Sequence, residues 1–237
     1  SAWEGQPALL QLDTGSTGTS VAKPDILKGV FLTREKPTQK TPETMTAWFG
    51  MDAAELQTVE VRVGMGVTLL KEGHRLGPYR FAARSMDDRV GDTALLRVIQ
   101  EINPAQVQSR IIFVWSVQEE GGLLGAEWAA RRIGTTTRRI YSIDTFVSSD
   151  TPLESHHFAY APLGNGPVLR SLESGSMATP EEFERNLSIA RKASVNVQAG
   201  VTQGGTDGTK FTFMGAPNAG LSWPGRYSHS PGELSDL

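Results

Sequence analysis

Residues 110–117 constrain this chain more than any other segment. Ile111, Ile112, Phe113, Val114 and Trp115 form a near-continuous apolar run. A run that short and that apolar reads as a β-strand covered on both faces. The flanking segments carry a different period. Val90, Ala94, Leu95, Val98, Ile99 and Ile102 recur at helical spacing, and Asn103-Pro104 closes that helix. Residues 122–133 read as a second helix and residues 139–146 as a second strand. Thr179, Pro180 and Glu182 form a capping box with proline at the first helical position, opening a helix to about residue 193. Residues 195–201 and 216–222 are further strand candidates. Strands alternating with helices predict an α/β fold over residues 81–237, a mostly parallel sheet with helices on both faces.

Residues 1–80 read differently. Short alternating runs at 8–12, 29–32, 59–63 and 67–70 are broken by Gly and Pro, which predicts a small β-rich module. Residues 34–46 are polar with two prolines and read as a loop; residues 52–56 could form a short helix.

Several function classes fall away on composition. Lys plus Arg is 23 and Asp plus Glu is 26, for a net charge of −3, so no basic excess points to nucleic acid. No apolar run approaches the ~20 residues of a membrane span, and no targeting segment opens the chain. With no cysteine there is no disulfide scaffold, thiolate zinc site or cysteine nucleophile. That composition suits a reducing compartment, and the expected location is the cytoplasm.

The residues able to carry chemistry are mostly acids near element ends. Asp87 and Asp88 precede the first strong helix, where carboxylates also serve as ordinary caps. Glu119 and Glu120 follow the 110–117 run. Adjacent carboxylates there suit either a solvated loop or a metal site in which one binds metal and its neighbour moves a proton. Asp144 sits inside an apolar strand, where a carboxylate is costly unless paired or ligating. Asp150 reads as a turn residue. His229 comes late in the chain; His74, His156 and His157 read as ordinary surface or structural histidines. Residues 204–208 (Gly-Gly-Thr-Asp-Gly) lack the phosphate-loop ending and read as a turn opening a helix. As a set, these hard oxygen ligands plus an imidazole suit two hydrolytic divalent metals, a bridging carboxylate holding them ~3.5–4 Å apart.

Four segments in order carry a family resemblance: 83–91 around Asp87-Asp88; 117–126 around Glu119-Glu120-Gly121-Gly122; 142–144 ending at Asp144; and 204–207 ending at Asp207 together with 226–230 around His229. Residues 163–167 add a fifth, connecting segment. Over roughly residues 60–237 the chain resembles the tetrahedral or glutamyl aminopeptidases, family forty-two of the metallopeptidases. The resemblance implies a zinc-aminopeptidase-like fold and a dinuclear site holding two divalent ions, zinc with cobalt or manganese as substitutes. By this resemblance Asp87 matches the carboxylate shared by both metals, joined to Asp88 by a cis peptide. Glu119 matches the general base. Glu120 matches a ligand of one metal, Asp144 a ligand of the other, and His229 the terminal histidine ligand. Asp88 and Asp207 line the site. The implied substrates are peptides, without nucleic acid or membrane as partner. Residues 1–80 resemble the family's inserted lid or dimerisation domain, implying a homo-oligomer, either a dimer or a dodecamer.

One family feature is missing. The family carries an early His-x-Asp motif, and no such triplet occurs in this sequence. The resemblance therefore implies that the chain begins inside the insert and stops before the family's final helix. Two other readings stay open: a deacylase-like metallohydrolase on the same scaffold, and an inactive homologue serving assembly or binding. N-terminal residue specificity, metal identity and oligomeric state are not legible in the residues.

Overall fold

A computed structural model describes residues 3–12, 25–32, 45–148 and 160–236. The chain divides into two compact units, residues 1–72 and 73–237.

The first unit is a four-stranded antiparallel sheet built from β1 (Pro7–Gln11), β2 (Ile26–Phe31), β3 (Ala47–Trp48) and β4 (Val67–Leu69), in the order β3-β2-β1-β4. Alternation along β1 turns Ala8 and Leu10 inward. Ala8, Phe31 and Leu69 form the buried centre, with Trp3 packed edge-on against Phe31 at 5.1 Å between ring centroids. Gly29 is required by close approach: a Cβ there would sit 2.3 Å from the Trp48 carbonyl oxygen. The short helix α1 (Ala53–Thr58) starts at a capping box between Asp52 and Glu55. The alternating residues 59–63 form no strand; Val63 lies wholly in solvent. Most of the predicted 34–46 loop lies outside the described residues.

The second unit carries an eight-stranded sheet. Its strands are β5 (His74–Leu76), β6 (Arg80–Ala83), β7 (Ile143–Val147), β8 (Val168–Glu173), β9 (Ser176–Met177), β10 (Gln198–Val201), β11 (Gly220–Arg226) and β12 (Glu233–Asp236). The main path runs β10-β8-β11-β12-β6-β5, with β7 on β11 and β9 on β8. The expectation of a mostly parallel sheet is corrected. Among the described strands, β10 with β8 and β11 with β7 pair in parallel, extended by a lone parallel bridge between Ile140 and Asn218. The ladders β11–β12, β11–β8, β12–β6, β5–β6 and β8–β9 are antiparallel. The physical reason lies in the connections: β5–β6, β8–β9 and β11–β12 are joined by turns too short for a helical crossover.

Helices fall close to the expected bounds. α2 (Arg89–Glu101) is capped by Asp88 and packs on β7 and β11. α3 (Leu124–Ile133) packs against α5 (Gly208–Thr212), burying Ala129, Ala130, Phe211 and Ala216 together. α4 (Pro180–Lys192) is capped by Thr179, with acids in its first turn and bases in its last, matching the helix dipole. Gly200 on β10 meets the Phe146 ring, where a Cβ would come within 2.5 Å. No helix among the described residues is long and apolar enough to cross a membrane.

The strand expected at residues 110–117 is also corrected. The segment joins no ladder among the described residues, and Ile111, Ile112, Val114, Trp115 and Val117 are exposed. Apolarity and β-branching favour a strand, yet a strand exists only where a neighbour accepts its hydrogen bonds.

Candidate metal centre

Four chain segments bring the ligand-type side chains together. The loop after β6 carries Asp87 and Asp88 into the start of α2, and their peptide bond is cis as expected. The turn before α3 carries Glu119 and Glu120. The turn between β11 and β12 carries His229. Left-handed backbone recurs at non-glycine residues on these turns: Ser85, Gln118, Leu123, Tyr227 and His229 all have φ between 53° and 62°. Such conformations cost free energy and persist where the surroundings fix them. β7 adds Asp144, opposite Ser222 of β11.

The ligand-type atoms form two sets. Asp87, Glu120 and His229 each offer one ligand atom within 4.8 Å of the others, and so do Asp87, Asp88 and Asp144. Asp87 belongs to both. His229 Nε2 lies 3.1 Å from Glu120 Oε2 and 3.4 Å from Asp87 Oδ2. Ser228 Oγ donates to Asp87 Oδ2 at 2.6 Å. The Asp88 carboxylate accepts from Trp223 Nε1 at 2.6 Å and from the Gly91 amide, so capping and site-lining coincide in one side chain.

Asp144 is largely enclosed, its side chain 15% exposed. The Thr145 amide donates to its Oδ1 at 2.6 Å. Arg170 Nη2 lies 4.0 Å from its Oδ2. Arg170 is itself buried and salt-bridged to buried Glu173 at 3.0 Å, donates to Ser222 Oγ at 2.6 Å, and also donates to the Thr145 carbonyl. Asp207 accepts from Ser116 Oγ at 2.6 Å through Oδ2, while its buried Oδ1 has no hydrogen-bond partner among the described residues.

The electrostatics follow from this crowding. Burial, chiefly, pushes the Glu119 carboxyl up to about 7, with Asp207, Glu120 and Asp87 adding repulsion. Burial likewise raises Asp88 to about 7, against the pull of the Trp223 hydrogen bond. Asp144 is raised by burial despite the attraction of Arg170, and Asp87, Asp88 and Glu119 repel its charge further. Asp207 is raised by burial as well. Carboxylates that resist ionisation chiefly through burial, and in part through one another, suit cations placed among them, and the oxygen-rich sets with one imidazole match hydrolytic divalent metals. The donor chemistry fits such ions.

Asp87, Asp88, Glu119, Glu120, Asp144 and Asp207 fall in one neighbourhood. His74 instead lies exposed on β5, and His156, His157 and Asp150 lie outside the described residues. Sequence reasoning missed Arg170, Trp223, Ser228 and Glu233 as partners of the site acids. A buried arginine three residues before a buried glutamate on β8 was a detectable signal; the reach of Trp223 across to Asp88 was not.

A family model described as M42 glutamyl aminopeptidase matches residues 2–237. A protein of Escherichia coli (strain K12), provisionally named an aminopeptidase, is 29% identical over 237 residues, covering 94% of this chain and 62% of that relative. An aminopeptidase structure from the archaeon Desulfurococcus kamchatkensis superposes with a TM-score of 0.83 at 28% identity, covering 100% of this chain and 65% of that one. The Pyrococcus horikoshii TET1 peptidase, described as able to assemble into a tetrahedron or a large octahedral shell, gives 0.80 at 26% identity, over 100% of this chain and 68% of that one. The chain thus spans 62% of the length of that curated relative.

Proposed function

The chain belongs to the M42 glutamyl aminopeptidase family, and from that membership we propose that the intact protein removes N-terminal residues from peptides, using two divalent cations and a glutamate base. The observation that carries this reading is the double use of Asp87, which stands in both ligand sets. In this reading Asp87 is shared, Glu120 and His229 complete one site, and Asp144 belongs to the other. Zinc is the proposed metal; cobalt and manganese accept the same donors.

Bound there, the cations would polarise the scissile carbonyl and acidify a water molecule. Glu119 takes one proton from the attacking water and returns it to the amine that leaves as the peptide bond breaks, so the carboxyl ends as it began. Burial and its acidic neighbours raise its proton affinity, as suits a group that must take up a proton. Asp207, one repelling neighbour of Glu119, helps hold its proton affinity up. Asp88 lines the site beside Asp87 and Asp144, oriented by Trp223.

The β-rich N-terminal region is proposed as the assembly module of a homo-oligomer. The likeness to the TET1 peptidase supports that part of the reading.

The test uses the intact protein loaded with zinc. Aminoacyl anilides should be turned over and N-acyl amino acids should not; the reverse pattern would replace the aminopeptidase by a deacylase. Glu119→Gln should lower kcat by roughly 10²–10⁴-fold while metal content stays at the wild-type value. Near-normal turnover in that variant would remove Glu119 from the role of base.

A further inference from the structure

Asp87 and His229 lie 142 residues apart in the sequence, and no ladder pairs their own segments. The Ser228 hydroxyl bonds the Asp87 carboxylate, and a second side chain ties the two backbones together. Glu233 opens β12, the strand between β6 and β11. β6 leads into the Asp87 loop, and β11 leads into the His229 turn. Register places Glu233 opposite Ala83, the last residue of β6, while Leu234 pairs with Arg226, the last residue of β11. Glu233 therefore stands where the two site-bearing segments part from the sheet.

Its carboxylate spans that fork. Oε2 accepts from the Met86 amide and, at 2.9 Å, from the Asp87 amide. Oε1 accepts from the His229 amide at 3.0 Å. The residue is 3% exposed, so these bonds are shielded from competing water. The turn it grips needs such an anchor, because Tyr227 and His229 both adopt left-handed φ. Only a carboxylate can accept on both oxygens; a side-chain amide offers one acceptor and one donor.

We propose that Glu233 is a positioning residue: by joining the backbone of Asp87 to that of His229 it fixes the Asp87–Glu120–His229 set and governs the affinity of that set, but not of the Asp144 side, for a divalent cation. This inference rests on the metal-site reading above. Partners one shell removed from metal ligands typically change affinity by roughly 10–100-fold when lost. Glu233→Gln also has a preferred failure. Its carbonyl satisfies the Met86 and Asp87 amides, leaving its NH₂ facing the His229 amide, donor against donor. The His229 turn is the side released.

Cobalt(II) titration of the intact protein, followed by visible absorption and calorimetry, tests this. Wild type should bind two ions. Glu233→Gln should keep one affinity and weaken the other by about 10–100-fold. Glu233→Asp, which keeps the charge but withdraws it by one methylene, should weaken the same ion by less. In the His229→Ala background, where no imidazole remains to be positioned, adding Glu233→Gln should cost nothing further. Equal weakening of both ions, no weakening, or additive losses would overturn the proposal. So would unfolding of both Glu233 variants, which would make Glu233 a general support of the fold. A wild-type protein binding fewer than two ions would instead sink the metal-site reading itself.

Discussion

The two ligand sets share Asp87 and differ in nearly everything else. Glu120 and His229 sit on turns, with side chains 60% and 68% exposed. Asp144 sits within a strand at 15% exposure, backed by Arg170 at 3%. One set spends little on desolvation but depends on backbone turns in left-handed conformations. The other has its backbone fixed by strand pairing and helix start, and its difficulty is electrostatic. Buried carboxylates there need a counter-charge in the fold, which Arg170 supplies below and cations would supply above. The same chemistry is thus held by two different means.

The difference predicts opposite failures. Removing Arg170 should have the largest effect, because Glu173 and Asp144 would be left buried without their cation. Arg170→Met should lower stability by about 3–5 kcal/mol, read as a lower denaturant midpoint in metal-free protein. A loss under about 1 kcal/mol would mean that hydrogen bonds from Thr206 and Asn218 to Glu173 already suffice. His229→Ala should do the reverse. Stability without metal should change by no more than about 0.5 kcal/mol, as for other exposed side chains, while one of two cobalt(II) affinities falls steeply. An equal fall in both would erase the distinction between the sets.

Acidity sharpens the contrast next. In metal-free protein Asp88 and Glu119 titrate near 7, above their ordinary values of 3.8 and 4.5, and Asp144 is raised as well. The native state then holds more protons than the unfolded chain between about pH 4 and 7, so stability falls as pH rises through that window. Melting temperature in chelator should be higher at pH 5 than at pH 8. Bound cations select the ionised forms and should reverse that order. Asp144→Asn should flatten the metal-free slope; an unchanged slope would place its origin elsewhere.

How much of this was legible follows the same division. Asp144 announced itself as a carboxylate within an apolar strand, while the paired glutamates and paired aspartates each admitted an ordinary loop or cap role and were singled out by the resemblance of their segments. Helix ends were legible where caps are local, as at Asp88 and Thr179. Sheet direction was not, because pairing is decided between distant segments and alternation along the chain cannot encode it. Residues 110–117 show the point most clearly. Their composition demands a strand, and among the described residues no neighbour forms a ladder with them. The supports of the site were illegible for the same reason: Trp223 is 135 residues from Asp88, and Glu233 is 146 from the Asp87 amide it accepts.

The smallest expected effect falls on the one residue both sets share. Ser228 Oγ donates to Asp87 Oδ2 at 2.6 Å and orients a carboxylate on which each set depends. Ser228→Ala removes one hydrogen bond and leaves every candidate ligand in place. Such a bond contributes about 0.5–1.5 kcal/mol net, or roughly three- to tenfold in affinity. Because Asp87 is common property, both cobalt(II) affinities should fall together and by similar factors. His229→Ala moves one affinity and Ser228→Ala should move two, so titrating the pair separates a ligand of one set from a support of the residue that joins them. If Ser228→Ala weakened only the His229 side, the serine would belong to the turn and not to Asp87, and the shared role of that carboxylate would lose its support.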